Sequence, residues 1–467
     1  QLLPEEEQLE TPAEGLRLLA SGLRGYASGY EEAHQEQLTF TLFSAYKQLP
    51  EYEKRAQKLV EAAFYRYRHH PLARKLARQL YGMLLQNSVT RLETYAACAY
   101  RHFLQYGLSL QEREEYTFET VDMGNVFHGV LESFSGKLAE HQADWFSFTK
   151  EQGEALVEEA LQDYSAVYGD TVLYSNARNT YMVERMKRIL KRTVFTLQEQ
   201  LKKGSFTPAG YEMSFQVQEN LEAINIALSE EEKLRIIGRI DRVDVLERGD
   251  QVYVKIIDYK SGNRKFDIAA MYYGLQLQLV VYMNAAMELT QKNHPDKDVI
   301  PAAMLYYHVS DPTIAAEQVM TPEEVNEKLL SQLRMTGIVN DDMDVITNLD
   351  TTITDNPDGV SEVIPVEFKK DGSVSARSSV VSKEELKLMS GYVHGLIHKM
   401  GRQILDGEIT LNPYVRGTSD SCTYCAYQAV CGFDKQIQGC RVRKLKNLSR
   451  EEVLLALQQD LAEKGEA

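Results

Sequence analysis

The chain has 467 residues, 43% of them hydrophobic, and a formal net charge of −16. That length allows two or three domains, or one large α/β domain with extensions, and the apolar content suffices for a sizeable core. The charge excludes indiscriminate coating of nucleic acid, though not a local path for it. No run approaches the roughly 18 apolar residues of a membrane span. The opening Gln1-Leu2-Leu3-Pro4-Glu5-Glu6-Glu7 is not a signal peptide, so the expected compartment is the cytoplasm with no membrane partner.

Residues 1–84, rich in Glu, Gln, Ala, Leu and Tyr, read as helix throughout, with breaks near Gly25 to Gly29 and at Pro50. They form a helical extension without chemistry of their own, and the chain, which does not start with Met, is expected to be a fragment. Basic residues gather between Lys54 and Arg78, with Tyr65 and Tyr67 among them, and between Arg185 and Lys203. Both groups read as solvated helix faces. A phosphate-cradling G-x-x-x-x-G-K-[ST] loop is absent, so the sequence encodes no ATP motor.

Thr90-Arg91-Leu92-Glu93 has the form of a capping box and opens a helix carrying Cys98, Tyr100 and Phe103. Asp122 to His128 runs into the apolar-periodic Val130, Leu131 and Phe134, which predicts a helix with His128 in its first turns. Gly124, four residues earlier, leaves room for another backbone. Long helices are expected over 150–203, then a break at Pro208-Ala209-Gly210. Tyr211 to Val217 alternates like a strand and carries Glu212.

Leu234 to Val245 alternates apolar and polar residues, Glu247-Arg248-Gly249-Asp250 reads as a turn, and Gln251 to Lys260 is a second run of β-formers. On a strand of period two, Asp258 and Lys260 share a face. Folding the hairpin about the middle of that turn sets Asp241 opposite Ile256, diagonal to Asp258 and on its face. Further on, Tyr272 to Leu289 reads as a helix on which Gln278 and Tyr282 stack at i,i+4. Ala302 to Val309 is a strand, and 311–360 an acidic, turn-rich surface insertion with a helix around Pro322 to Arg334. Val363 to Phe368 and Ser373 to Ser378 make a hairpin about Lys369-Lys370-Asp371-Gly372. Ser382 caps a helix to about Leu405 that Gly407 ends, and Ser449 caps a last one, over 448–467, whose Val453, Leu454, Leu457 and Leu461 need a surface to cover.

Two groups carry chemistry. Asp241, Asp258 and Lys260 suit phosphodiester hydrolysis. Two carboxylates hold a hard divalent ion such as Mg²⁺, and a lysine beside them orients or deprotonates a water and offsets phosphate charge. The bland alternative is an ion pair at a sheet edge. The second group is Cys422-x-x-Cys425 with Cys431, for which Cys98 is the obvious fourth thiolate and Cys440 its rival. Zinc and an iron–sulfur cluster both accept four thiolates. With Cys98 as partner, the site would staple segments 324 residues apart.

Ser88-Val89-Thr90-Arg91-Leu92-Glu93-Thr94-Tyr95-Ala96-Ala97-Cys98, Gly124-x-x-x-His128, Gly238-Arg239-Ile240-Asp241, Asp258-Tyr259-Lys260-Ser261, Gln278-x-x-x-Tyr282 and the Cys triplet follow in this order. Together they resemble the RecB-type PD-(D/E)xK nuclease family, in its AddB-like branch, over about residues 85–447. The resemblance implies an α/β (α+β) restriction-endonuclease-like core, a mixed sheet flanked by helices. It implies Mg²⁺ or Mn²⁺ on His128, Asp241, Asp258 and a main-chain carbonyl near Tyr259, with Lys260 as the catalytic lysine. Gln278 and Tyr282 would support the site and DNA contact, and Glu212 would match an upstream acid. Cys98, Cys422, Cys425 and Cys431 would hold a 4Fe–4S cluster. The implied activity is an exonuclease acting on single-stranded DNA at duplex ends, on the 5′-ended strand, beside an AddA-type helicase–nuclease subunit in a heterodimer that resects double-strand breaks. The family's long helicase-like region is missing, and Ala99 and Ala426 stand where Pro is usual. A stand-alone iron–sulfur exonuclease of the CRISPR-adaptation type and an inactive DNA-end-binding scaffold are the rival readings.

Overall fold

The computed structural model describes residues 9, 11–29, 33–113, 120–167, 176–215, 221–315, 319–356 and 358–465. Helices α1 (Pro12–Ser28), α2 (Ala33–Lys47) and α3 (Pro50–Ala63) pack on one another around Leu19, Leu23, Leu42, Tyr46 and Ala56. The helical run does break at Pro50: α2 ends at Lys47 and Pro50 opens α3, where the first turn needs no amide hydrogen from it. The helical reading of 1–84 fails at 64–73. There the amides of Tyr67 and Leu72 bond to the carbonyls of Gln438 and Gly407 at 2.8 Å, so the segment runs irregularly along the C-terminal part. Helix α4 (Arg74–Tyr81) follows, and its Arg78, with Arg74, holds the buried Glu232 at 2.8 and 2.9 Å.

Strand β1 (Leu84–Ser88) leads into α5 (Val89–Ala97), α6 (Ala99–His102) and a π-helical turn over Phe103–Gly107. The cap of α5 is Ser88, whose hydroxyl accepts from Arg91 N, so Thr90-x-x-Glu93 is not a capping box and Glu93 is free for another task. Helices α7 (Thr120–Glu140), α8 (Lys150–Val167) and α9 (Ala177–Lys202) come next, then β2 (Thr207–Ser214), β3 (Asn225–Ala227), β4 (Lys233–Ile237), β5 (Arg239–Arg248) and β6 (Gln251–Lys260). Gln216 and Val217, expected in the strand after Tyr211, lie outside the described residues. The alternating run from Leu234 to Val245 is two strands, not one. It breaks at Gly238, and its halves join different sheets.

The chain continues through α10 (Ile268–Tyr272), α11 (Gln278–Asn293), β7 (Asp298–His308), α12 (Pro322–Gln332), β8 (Thr336–Asn340), α13 (Met343–Leu349), β9 (Val380–Val381) and α14 (Lys383–Leu405). It ends with β10 (Tyr414–Arg416), β11 (Ser419–Asp420), α15 (Gln428–Cys431), β12 (Arg443–Lys444) and α16 (Arg450–Gly465). The main sheet has the order β2-β5-β6-β7-β8-β9, with β1-β4-β3 and β11-β10-β12 as smaller sheets. β6 lies inside the main sheet, antiparallel to β5 and parallel to β7, and eight of its ten residues are buried. Its Val252, Val254 and Ile256 pack with α5, α11 and α14, while Tyr253, Ile257 and Tyr259 pack with α7, α8 and α9. A strand apolar on both faces is what a covered central position requires.

The segment 311–360 is not a surface insertion. It gives the main sheet β8, and Val339, Ile346, Leu349 and Ile353 are core residues. The hairpin about Gly372 is reduced to the single bridge Phe368–Val374. Ser382 and Ser449 cap α14 and α16 as the sequence indicates, and α16 covers the chain's own surface with Val453 and Leu457, both fully buried. Among the described residues no helix is long and apolar enough to cross a membrane.

Candidate active site

The site is built on one line across three strands. β5 and β6 pair in the register Arg242↔Ile257 through Arg248↔Gln251, so Gly249-Asp250 alone make the turn. The turn is shorter and lies one residue later than the sequence pattern implies, and the register differs by two. Asp241 therefore falls in line with Asp258 rather than with Ile256. Because the difference is even, the shared face survives. On the other side of β5, Tyr211 pairs with Arg242 and Met213 with Ile240, which sets Glu212 opposite Asp241. Glu212, Asp241 and Asp258, all buried, thus form a row. Glu212 has φ 43°, a left-handed conformation rare for a side-chain-bearing residue and typical of places where function holds the backbone.

His128 reaches this row from the third turn of α7, which Val126, Phe127 and Val130 anchor in the core. Gly124, one turn earlier, faces the Ser261 side chain rather than a backbone, with ordinary space for a Cβ. His128 Nδ1 lies 3.4 Å from Glu212 Oε1 and 3.3 Å from Asp241 Oδ1. Burial works against its imidazolium, but hydrogen bonds to Asp241 and Glu212 outweigh that and push its pKa up to about 10. The other oxygen of Asp241 accepts the Tyr259 N–H at 2.7 Å, so Tyr259 enters the site through its amide. Arg239 pairs with Glu212.

Asp258 is held differently. Lys260 Nζ lies 2.5 Å from its Oδ2, and Gln278 Nε2, at the first position of α11, donates to its Oδ1 at 2.8 Å and also meets Tyr282 OH at 3.1 Å. Helix α11 starts at Gln278, six residues later than Tyr272, and this late start is what aims Gln278 at the acid. Burial first, then the charge of Asp241, pushes the Asp258 carboxyl up to about 7 against the pull of Lys260. Lys260 and Arg264 both lie over the Tyr306 ring, at 5.8 and 5.9 Å.

The donors that converge most closely are His128, Glu212 and Asp241, whose ligand atoms lie within 4.8 Å of one another. Of the expected set of His128, Asp241 and Asp258, this closest group among the described residues contains His128 and Asp241, with Glu212 in place of Asp258. One imidazole nitrogen and two carboxylate oxygens around a half-buried histidine fit a hard divalent cation that keeps waters of its own.

Cys98, Cys422, Cys425 and Cys431 line one pocket, with Leu104 and Phe433 on its wall. Cys98 ends α5, and Cys431 ends the short α15. Burial raises the Cys98 thiol, and burial with the neighbouring charges of Asp420, Cys98 and Cys425 pushes Cys422 up to about 11. Thiolates at such positions need a cation, which fits a metal or cluster. Cys440 does not line that pocket; it is buried, with its neighbour Gly439 against the Tyr67 backbone. Of the basic clusters, Arg188, Lys191 and Lys203 are paired with Asp311, Glu154 and Glu158, and Glu362, as solvated faces would be.

The residue that sequence reasoning missed is Glu93. Its Oε1 accepts the Leu277 N–H at 2.8 Å, directly before Gln278. The sole signal was its place in a capping-box pattern, which pointed to a different partner.

The profile of the PD-(D/E)XK nuclease superfamily matches residues 86–432. A protein of Lachnoclostridium phytofermentans, named as a subunit of an ATP-dependent helicase/deoxyribonuclease, is 39% identical over 455 residues, which cover 96% of this chain and 38% of the relative. Proteins of the same name from Alkaliphilus oremlandii and Clostridium acetobutylicum are 32% and 34% identical, over 97% and 90% of this chain. The chain spans 36–39% of the length of these three relatives.

Proposed function

The chain belongs to the PD-(D/E)XK nuclease superfamily, and on that premise we propose that it is the DNA-hydrolysing part of a helicase–nuclease complex, working with an AddA-type partner to resect double-strand breaks in the cytoplasm. The observation that carries this reading is the row Glu212–Asp241–Asp258, with His128 at one end and Lys260 and Gln278 at the other. The names of the relatives support a deoxyribonuclease role and a partner chain.

His128, Glu212 and Asp241, with Asp258 beside them, would hold a divalent ion, Mg²⁺ or Mn²⁺, which when bound supplies an activated water and offsets phosphate charge. Lys260 is the group placed to orient that water and to accompany the scissile phosphate. Gln278 fixes the rotamer of Asp258, Tyr282 fixes Gln278, and the Tyr259 amide fixes Asp241. The substrate is a single strand at a duplex end, taken as the 5′-ended one on the family resemblance. Cys98, Cys422, Cys425 and Cys431 would bind a 4Fe–4S cluster, with zinc as the alternative, that holds the end of α5 to the C-terminal segment.

The deciding experiment is degradation of labelled single-stranded DNA with Mg²⁺ by the wild type, Asp258→Ala and Lys260→Ala. Activity in the wild type alone supports the assignment. Equal activity in all three removes it from this site, and a wild type that binds DNA ends without cutting them favours the scaffold reading.

A further inference from the structure

Helix α11 carries Gln278 and Tyr282, yet its own N-terminus is poorly made. The N-cap residue is Leu277, which has no side-chain acceptor, so the first amides of the helix have to find partners elsewhere. They find one carboxylate, Glu93, from an element 184 residues away in sequence, with Leu277 N donating to Oε1 at 2.8 Å. An acid at a helix N-terminus also meets the positive end of the helix dipole. The approach is close over the whole contact. Gly274, at φ 79°, sits where a Cβ would come within 3.0 Å of the Ala96 side chain, so the loop entering α11 lies directly on α5. The C-terminal end of α5 is fixed from the C-terminal segment too. Arg443 donates to the Ala97 carbonyl at 3.0 Å, Cys98 is the C-cap, and the Ala99 amide donates to Asn412 Oδ1 at 2.9 Å.

These contacts form a line: the Cys98 pocket, α5, Glu93, the first turn of α11, Gln278, Asp258. We propose that Glu93 is a positioning residue for Asp258, capping α11 from outside so that the Gln278 amide is held on the acid, and that through Glu93 the helix ending in Cys98 becomes part of the catalytic frame. This rests on the nuclease reading of the site. Glu93 touches neither substrate nor ion. It acts through Gln278 alone, and an error of about 1 Å in such a support costs on the order of a hundredfold in rate. Arg264, 3.6 Å from the other oxygen of Glu93, keeps the carboxylate from turning away.

The test is a double-mutant cycle in the 467-residue chain with a labelled single-stranded oligonucleotide, together with hydrogen exchange at the Leu277 and Gln278 amides. Glu93→Ala is expected to lower kcat about 10- to 100-fold with KM changed less than about threefold. Glu93→Gln keeps an acceptor oxygen and should recover to within a few-fold of wild type. If Glu93 acts through Gln278, the double variant Glu93→Ala/Gln278→Ala loses no more than Gln278→Ala alone. Exchange at the two amides should quicken in Glu93→Ala and stay slow in Glu93→Gln. Losses that multiply in the double variant, or unchanged exchange in Glu93→Ala, overturn the proposal. If Gln278→Ala and Asp258→Ala themselves leave activity intact, it is the nuclease reading that fails, while the exchange result still judges the cap.

Discussion

Asp241 accepts the main-chain N–H of Tyr259 through Oδ2 at 2.7 Å, so this carboxylate continues the contact between β5 and β6 just past their last paired residues, Arg242 and Ile257. Its Oδ1 faces His128 at 3.3 Å. One oxygen ties the backbone and the other faces the proposed ion site, and substitutions separate them. Asp241→Asn keeps an acceptor for Tyr259 but loses the charge. It should stay within about 1 kcal/mol of wild-type stability and lose more than about a hundredfold in activity. Asp241→Ala should lose the same activity and a further 1–3 kcal/mol or so, from the orphaned amide. Denaturant unfolding and oligonucleotide degradation measure the two. An Asp241→Asn protein that cuts DNA normally contradicts the role given to the charge.

The protonation of the ion-free site gives a second prediction. His128 carries its proton up to about pH 10, held by Asp241 and Glu212, and Asp258 is half-protonated near pH 7. Both must lose protons to become ligands, so ion binding releases protons and strengthens as pH rises through 7. The sign for folding is the opposite at His128. Its raised pKa stabilises the ion-free fold fully below about pH 6.5, the unfolded value, and that contribution is lost as pH rises through about 10. Calorimetric titration with Mn²⁺ near pH 8, in buffers of different ionisation enthalpy, should report about one proton released. Heats that do not depend on the buffer count against this arrangement.

On the reverse face of the same two strands, Asp244 lies 2.6 Å from Arg242 Nε and 2.8 Å from Lys255 Nζ, all three buried. Arg242 also lies over Trp145 at 5.0 Å, and Lys255 over Phe206 at 5.2 Å. Burial alone would raise the Asp244 carboxyl, but the charges of Arg242 and Lys255 hold it below the usual range. Its contribution is complete above about pH 3.9 and lost as pH falls further. Asp244→Asn leaves two buried cations with one neutral partner and should cost about 3–5 kcal/mol, seen as a lower denaturant midpoint. A loss under about 1 kcal/mol would mean that the cations find water.

The shared face of Asp241, Asp258 and Lys260 was legible because side-chain period on a strand is strict and survives an even register difference. Glu212 could be guessed only from the family pattern. Its place opposite Asp241 depends on β2 joining the far edge of β5, a long-range pairing that no local run encodes. The extension of the main sheet by β8 was hidden for a similar reason. Its strand, Thr336-Gly337-Ile338-Val339-Asn340, is short and stands among acidic turns, so composition spoke louder than pairing. Glu93 was misread because three-residue spacing from Thr90 mimics a local cap. The partner it took instead, Leu277, is near only once α5 lies on the loop at Gly274.

The four thiols in one pocket carry the last prediction. Cys98 leaves α5, while Cys422, Cys425 and Cys431 lie on the segment held to the end of α5 by Arg443 and Asn412, and to Leu110 further along by Tyr427 OH, which donates to its carbonyl at 2.7 Å. Protein purified without air should show the broad visible absorption of thiolate-bound iron and about four iron atoms per chain. Zinc would give one metal ion and no colour. Cys98→Ala and Cys425→Ala should each abolish the absorption and loosen both ends of the staple, exposing 408–445 to protease together with the end of α5. Cys440→Ala should keep the metal, because that thiol, buried next to Gly439, is not among the residues that line the pocket. A chain that loses its metal in Cys440→Ala and keeps it in Cys98→Ala would exchange the two ligands, and with them the link from the pocket to Glu93.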